Sequence, residues 1–173
     1  MSRIGVKSVF IILSLAVFLL SCNPFAPRLD TDLTSSSILG DQTTIDGVFQ
    51  NIKYAYTFRD TSIYGALVNS DFTFIYRDYD RGVDVTWGRD EEMRTTNGLF
   101  ENVERLDLVW NNIASLTTDS SGTQANVTRN FNLTVTFNAS DIVRVDGYAN
   151  FTLERPQSQS PWKIQRWQDE SNF

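Results

Sequence analysis

The sequence predicts an α+β domain in which N-terminal helices pack on a curved, mainly antiparallel sheet. Two observations carry that expectation. From about residue 45 to residue 100, apolar side chains recur mostly at helical spacing, with one alternating run between. From residue 105 onward they recur at every second position, in strand after strand, so helices precede a block of strands. A chain of 173 residues, 41% hydrophobic, has room for one such core.

Taken in order, Val48, Phe49, Ile52, Ala55, Tyr56 and Arg59 fall on one face of an amphipathic helix of about three to four turns. Asp60-Thr61-Ser62 then offers side-chain oxygens to the free amides of a shorter helix carrying Ile63, Tyr64, Ala66 and Leu67. Near Ser70 the period becomes two, through Asp71-Phe72-Thr73-Phe74-Ile75-Tyr76. Arg77 to Asp84, with Gly82, is expected as a charged loop. Thr86 is expected to cap a third helix whose Asp90, Glu91 and Glu92 suit the positive end of its dipole and whose Met93, Asn97 and Phe100 face inward.

Leu106, Leu108 and Trp110 then alternate as a strand, and Thr117 to Thr123 reads as a loop. Phe131, Leu133, Val135 and Phe137 form one half-buried strand, and Val143, Val145, Ala149, Phe151 and Leu153 the next. Between Pro156 and Pro161 the chain turns into a last strand, Trp162 to Trp167. Tyr148 and Trp167 fall on the otherwise polar sheet face, where large rings suggest a contact or dimer patch. The expected order is helix, helix, strand, helix, four strands.

Ahead of this domain, Arg3 and Lys7 precede an apolar run from Val9 to Leu20, the basic and hydrophobic parts of a secretory signal. Twelve helical residues rise only about 18 Å, too short for a hydrocarbon core of about 30 Å. The run ends in Leu19-Leu20-Ser21-Cys22, which resembles the bacterial lipobox. That resemblance implies residues 1–21 as a lipoprotein signal peptide, cleavage between Ser21 and Cys22, and a diacylglyceryl thioether on the Cys22 sulfur with an acyl group on the new amine. Several acyl chains, at about 0.8 kcal/mol per buried methylene, make a lasting membrane anchor. Asn23 stands where the family's inner-membrane retention signal would have Asp, so the resemblance implies an outer-membrane location facing the periplasm. Residues 22–44, with Pro24, Pro27, three serines and Gly40, read as the lipidated cysteine and a flexible tether of roughly 25 Å reach. Residues 45–173 are the domain.

Charge and composition exclude several functions. Without residues 1–21, 13 basic and 21 acidic side chains remain, a net charge of −8, which repels nucleic-acid phosphates. No histidine occurs, so a serine or cysteine nucleophile has no imidazole base and a zinc site loses its usual nitrogen ligand. One cysteine forms neither an intramolecular disulfide nor a thiolate cluster. Neither metal nor cofactor is expected. Proton transfer by Asp and Tyr stays open.

The element order, Arg59-Asp60 before the short helix leading to Asp71-Phe72, and the closing Trp162-Lys163-Ile164 together resemble the nuclear transport factor 2-like superfamily, over roughly residues 45–170. The resemblance implies a cone whose sheet wraps the helices around an apolar pocket, in a superfamily that spans steroid isomerases, polyketide cyclases, dehydratases and non-catalytic modules. Aligned on Asp60 and Asp71, the isomerase's oxyanion-binding Tyr falls at Ile52 and its general base at Tyr76. Both departures argue against that activity.

Asp78-Tyr79-Asp80-Arg81-Gly82 imitates the start of a calcium loop, but Gly82 and Arg89 occupy positions that need acidic or amide ligands. Sequons at Asn126, Asn132, Asn138 and Asn150 are read as the polar face of successive strands. Phe49, Tyr56, Phe72, Phe74, Phe100, Trp110, Phe131 and Trp162 are the aromatic side chains available to line a pocket. No catalytic set stands out, and Tyr56, Asp71, Asp78 and Asp107 are the candidates. The chain is accordingly expected to be an envelope lipoprotein whose domain binds an apolar small molecule, a protein partner or a second copy without catalysis. The alternative is an isomerase- or dehydratase-type pocket enzyme using Asp and Tyr. A cone packed solid favours the first; polar groups converging in a cavity favour the second.

Overall fold

Thr44 starts the first helix, α1 (Ile45–Phe58), by accepting the Gly47 N–H on its hydroxyl at 3.0 Å. The computed structural model describes residues 38–171. The signal segment, Ser21, Cys22 and the tether through residue 37 lie outside the described residues. Residues 40–44, expected as the end of the tether, are held to the domain: the Gly40 N–H donates to Asn51 Oδ1 at 2.7 Å and Gln42 Nε2 to the Trp162 carbonyl at 2.7 Å.

Val48, Phe49, Ile52, Ala55 and Tyr56 of α1 are buried, as their spacing predicts. The helix ends at Arg59, which adopts a left-handed φ of 56°. Asp60 then caps α2 (Thr61–Leu67), its carboxylate accepting the Ser62 and Ile63 N–H groups at 2.9 Å each.

Six strands follow: β1 (Val68–Asp78), β2 (Val83–Gly88), then, after α3 (Arg89–Asn102), β3 (Arg105–Thr118), β4 (Gln124–Asn138), β5 (Asp141–Glu154) and β6 (Lys163–Ser171). Their order in the sheet is β2-β1-β6-β5-β4-β3, antiparallel throughout except for the parallel β1–β6 pair. This is the α+β architecture the sequence predicts, with one strand more.

The extra strand is β2. Arg77 and Asp84, expected in a loop, are ladder partners across β1 and β2, and the turn between them is confined to Tyr79–Gly82. Thr86 belongs to β2, and Gly88 is the N-cap of α3, without a side-chain bond. α3 is also rotated by about one residue from the expected face: Glu92, Thr96 and Phe100 are its buried residues, while Asn97 is exposed. β3 continues to Thr118, so the loop before β4 is shorter than the expected Thr117–Thr123.

β6 contains the largest departure. Thr152 pairs with Arg166 but Leu153 pairs with Ile164, so Gln165 is an extra residue and β6 bulges there. The Gln165 side chain accepts from Asn69 Nδ2 at 2.6 Å and donates to the Asp71 carbonyl at 3.1 Å, filling the irregular start of β1. Beyond the bulge the alternation changes phase, so Trp167, expected on the outer face, is buried at 8% exposure. Tyr148 does lie on the outer face, 45% exposed. The sequon residues Asn126, Asn132 and Asn150 share that face, in hydroxyl–amide pairs such as Thr128–Asn150 and Thr152–Asn126.

Candidate functional site

The helices do not fill the inner face of the sheet. A cavity of about 360 Å³ remains between that face, α1 and α3. Phe74 and Tyr76 of β1, Trp87 of β2, Trp110 of β3, Phe131 of β4 and Trp167 of β6 give it aromatic walls. Phe74 stacks on Trp87 at 4.6 Å between centroids with 16° between planes, and meets Trp167 edge-on at 5.6 Å. Leu99, Leu108, Leu133 and Val145 complete the apolar lining. Arg77 near the end of β1 and Tyr79 in the following turn line both the cavity and the adjoining surface groove, as does Asp169 of β6.

Polar groups enter this apolar space from three elements. From α3 comes Glu92, 4% exposed, whose carboxylate accepts from Tyr64 Oη at 2.6 Å, Trp87 Nε1 at 2.7 Å and Thr96 Oγ1 at 3.1 Å. Three donors compensate its burial, and they also fix the Trp87 ring in the wall. From α1 comes Tyr56. Burial pushes its phenol far above the ordinary range, and the carboxylates of Glu92 and Asp169 push further in the same direction. Tyr64, buried and donating to Glu92, is shifted upward first by its burial and then by the Glu92 carboxylate.

From β6 comes Asp169, with Ser171 beside it on the same face. Its carboxylate accepts the Ser171 N–H and hydroxyl, each at 3.1 Å. Burial nevertheless raises its pKa above the ordinary 3.8, because the Ser171 bonds only partly offset desolvation. The Trp167 indole N–H is buried in the same wall and has no acceptor among the described residues. The chemistry on offer is therefore a desolvated carboxylate, two donors of low or no acidity, and aromatic walls.

Among the aromatic residues expected in a pocket, Tyr56, Phe74, Trp110 and Phe131 line this cavity. Phe49, Phe72, Phe100 and Trp162 do not; they are 2–4% exposed and belong to the packed core. Of the candidate catalytic residues only Tyr56 is in the cavity. Asp71 is exposed in the first half of β1, outside the cavity. Asp78 pairs with Arg81 at 2.7 Å in the turn, where the Arg81 N–H and guanidinium lower its pKa. Asp107 is exposed and pairs with Arg105 at 2.8 Å. No group of acidic or cysteine side chains able to hold a metal occurs among the described residues. Of the two positions compared with the isomerase, Ile52 is sealed in the core and Tyr76 lines the cavity.

Sequence alone misses Glu92, Trp87, Trp167 and Asp169. Signals for the first two existed. Glu92, Thr96 and Phe100 are spaced four apart on α3, and Trp87 follows two residues after Val85 in the alternation of β2. Trp167 and Asp169 depended on a bulge that no local pattern announces.

No family model matches the chain, and no curated protein matches it. Solved structures do. A protein from Novosphingobium aromaticivorans, provisionally named a scytalone dehydratase, is similar with a TM-score of 0.62 at 19% identity, over 75% of this chain and 82% of that one. A protein from Streptomyces avermitilis, provisionally named a dehydratase of the NTF2-like family, gives 0.56 at 14% identity, over 70% and 89%. A hexachlorocyclohexane dehydrochlorinase gives 0.55 at 12% identity, over 73% and 81%. At these identities the likeness is one of fold, and it agrees with the helices, the strand order and the cavity: the chain has the fold of the nuclear transport factor 2-like proteins.

Proposed function

We propose that the domain is a small-molecule pocket that moves a proton on its ligand, with Asp169 as the base and Tyr56 as a hydrogen-bond donor, and that Cys22 carries it on a lipid anchor in the bacterial envelope. The observation that carries the pocket reading is that Asp169 and Tyr56 both line one largely apolar cavity large enough for a ring system. A carboxylate whose pKa is raised by burial is a better base than one in water. A phenol pushed upward stays protonated and can donate to a ligand oxygen, with the Trp167 N–H as a second donor. This replaces the expectation of a non-catalytic module as the leading reading. The dehydratase and dehydrochlorinase names of fold relatives agree with base chemistry in such a cavity, at an identity that carries fold alone.

The experiment is C–H exchange in heavy water with a panel of apolar enolisable ketones. The wild-type chain should accelerate deuterium incorporation into a bound ketone, and Asp169→Asn should reduce that rate by about 10²- to 10⁴-fold. Ketones that bind without exchange would favour the second reading, a binding module without chemistry. That reading has its own support: the isomerase's base position carries Tyr76, a phenol, in this cavity. The anchor is tested separately by Cys22→Ala, which should move the protein from the membrane fraction to the soluble one.

A further inference from the structure

We propose that the occupant of this cavity is an organic cation, an amine or quaternary ammonium borne on an apolar body. The proposal rests on reading the cavity as a small-molecule site and adds the charge of what it holds.

Two carboxylates, Glu92 and Asp169, belong to its wall, and neither is paired with a cation among the described residues. Among the described residues Arg77 is the only cationic side chain lining the cavity, and Asp84 compensates it at 2.9 Å. An anionic ligand would thus meet two like charges in a medium of low dielectric with no free counter-charge. The walls reinforce the same preference. Phe74, Tyr76 and Trp87 pack with centroids 4.6–6.3 Å apart, and Trp167 closes on Phe74 at 5.6 Å, so four aromatic rings are clustered in one part of the cavity wall. Aromatic faces attract a cation within about 6 Å of the ring centroid, and more strongly where water is excluded. Alkylated ammonium groups are weakly hydrated, so entry into this lining costs them less than it costs a compact ammonium ion. The upward shift of Asp169 agrees with the geometry, since burial is the main influence on that carboxyl and no cation offsets it.

The test compares two ligands of one shape, trimethylphenylammonium and tert-butylbenzene, titrated against the full chain at known free concentration, with tryptophan fluorescence as the readout. Trp87, Trp110 and Trp167 all line the cavity and report its occupancy. The expected result is that the cation binds roughly tenfold or more tightly than the hydrocarbon. Asp169→Asn should then lower the preference for the cation over the hydrocarbon by about tenfold. Equal affinities, tighter binding of the hydrocarbon, or a cation preference that survives Asp169→Asn would each overturn the proposal while the pocket itself stands. If neither compound perturbs the fluorescence of these walls, the pocket reading falls and the proposal falls with it.

Discussion

Ile164 and Trp167, three positions apart on one strand, both point into the core because Gln165 between them is an extra residue in the β5–β6 ladder. The bulge changes the phase of everything after it, so Asp169 and Ser171 turn toward the cavity and Arg166 and Gln168 toward the outer face. The candidate base is thus placed by a single residue of register.

Deleting Gln165 should therefore undo the site. With strict alternation restored, Trp167 and Asp169 would face outward. The loss of one buried indole alone costs about 3–5 kcal/mol. The expected outcome is a lower Tm, a red-shifted tryptophan emission and loss of binding in the cavity. Replacing Gln165 by Ala keeps the residue count and removes only the bonds to Asn69 and the Asp71 carbonyl. It should cost only about 1–2 kcal/mol and preserve binding.

Asp169 should make stability fall with rising pH. Burial raises its pKa above 3.8, so the folded chain holds the carboxyl proton where the unfolded chain has released it. The stability associated with that proton is fully present below 3.8 and is lost as pH rises through the folded value. A side-chain amide cannot ionise, so Asp169→Asn should raise Tm near neutral pH, and the gain should shrink below about pH 3. Thermal unfolding across pH checks this, and a variant that is less stable at neutral pH would contradict it.

Asp119 works in the opposite sense. The Gln124 N–H, the Ser121 hydroxyl and the Thr123 N–H hold its pKa down to about 2. It therefore contributes stability above 3.8 that is lost as pH falls through about 2. Asp119→Asn should reduce that acid sensitivity and speed amide exchange at Thr123 and Gln124, which are capped by its carboxylate at 2.8 and 2.9 Å.

Gly147 is required by close approach. A Cβ built there would lie 2.4 Å from the Glu170 carbonyl oxygen and 2.5 Å from Ser171 Cα, so an added methyl must displace the end of β6. Gly147→Ala should cost about 1–3 kcal/mol and weaken cavity binding, because Asp169 and Ser171 sit on the displaced segment. Urea unfolding and the same fluorescence titration measure the two effects.

How much of this was legible follows from where the information lies. Local patterns placed α1, the Asp60 cap and the alternating strands β4 and β5, because the physics of each is contained in neighbouring residues. The strand β2 was hidden: Asp84 separates Val83 from Val85 in a charged run, and its pairing with β1 is what makes it a strand. Glu92 reads as a carboxylate suited to a helix start, and its inward role depends on Tyr64, 28 residues earlier. The positions of Trp167 and Asp169 depend on β1 and β5 together imposing a bulge on β6. The fold is largely a sum of local patterns, and the site is made by contacts between elements.

The most direct measurement is a carboxyl ¹³C NMR titration of Asp169, alone and with trimethylphenylammonium. The Asp169 carboxyl should titrate above 3.8 in the free protein and move downward when the cation binds. An Asp169 that titrates at or below 3.8, and ignores the ligand, would contradict the claim that it is a desolvated carboxylate in a ligand site.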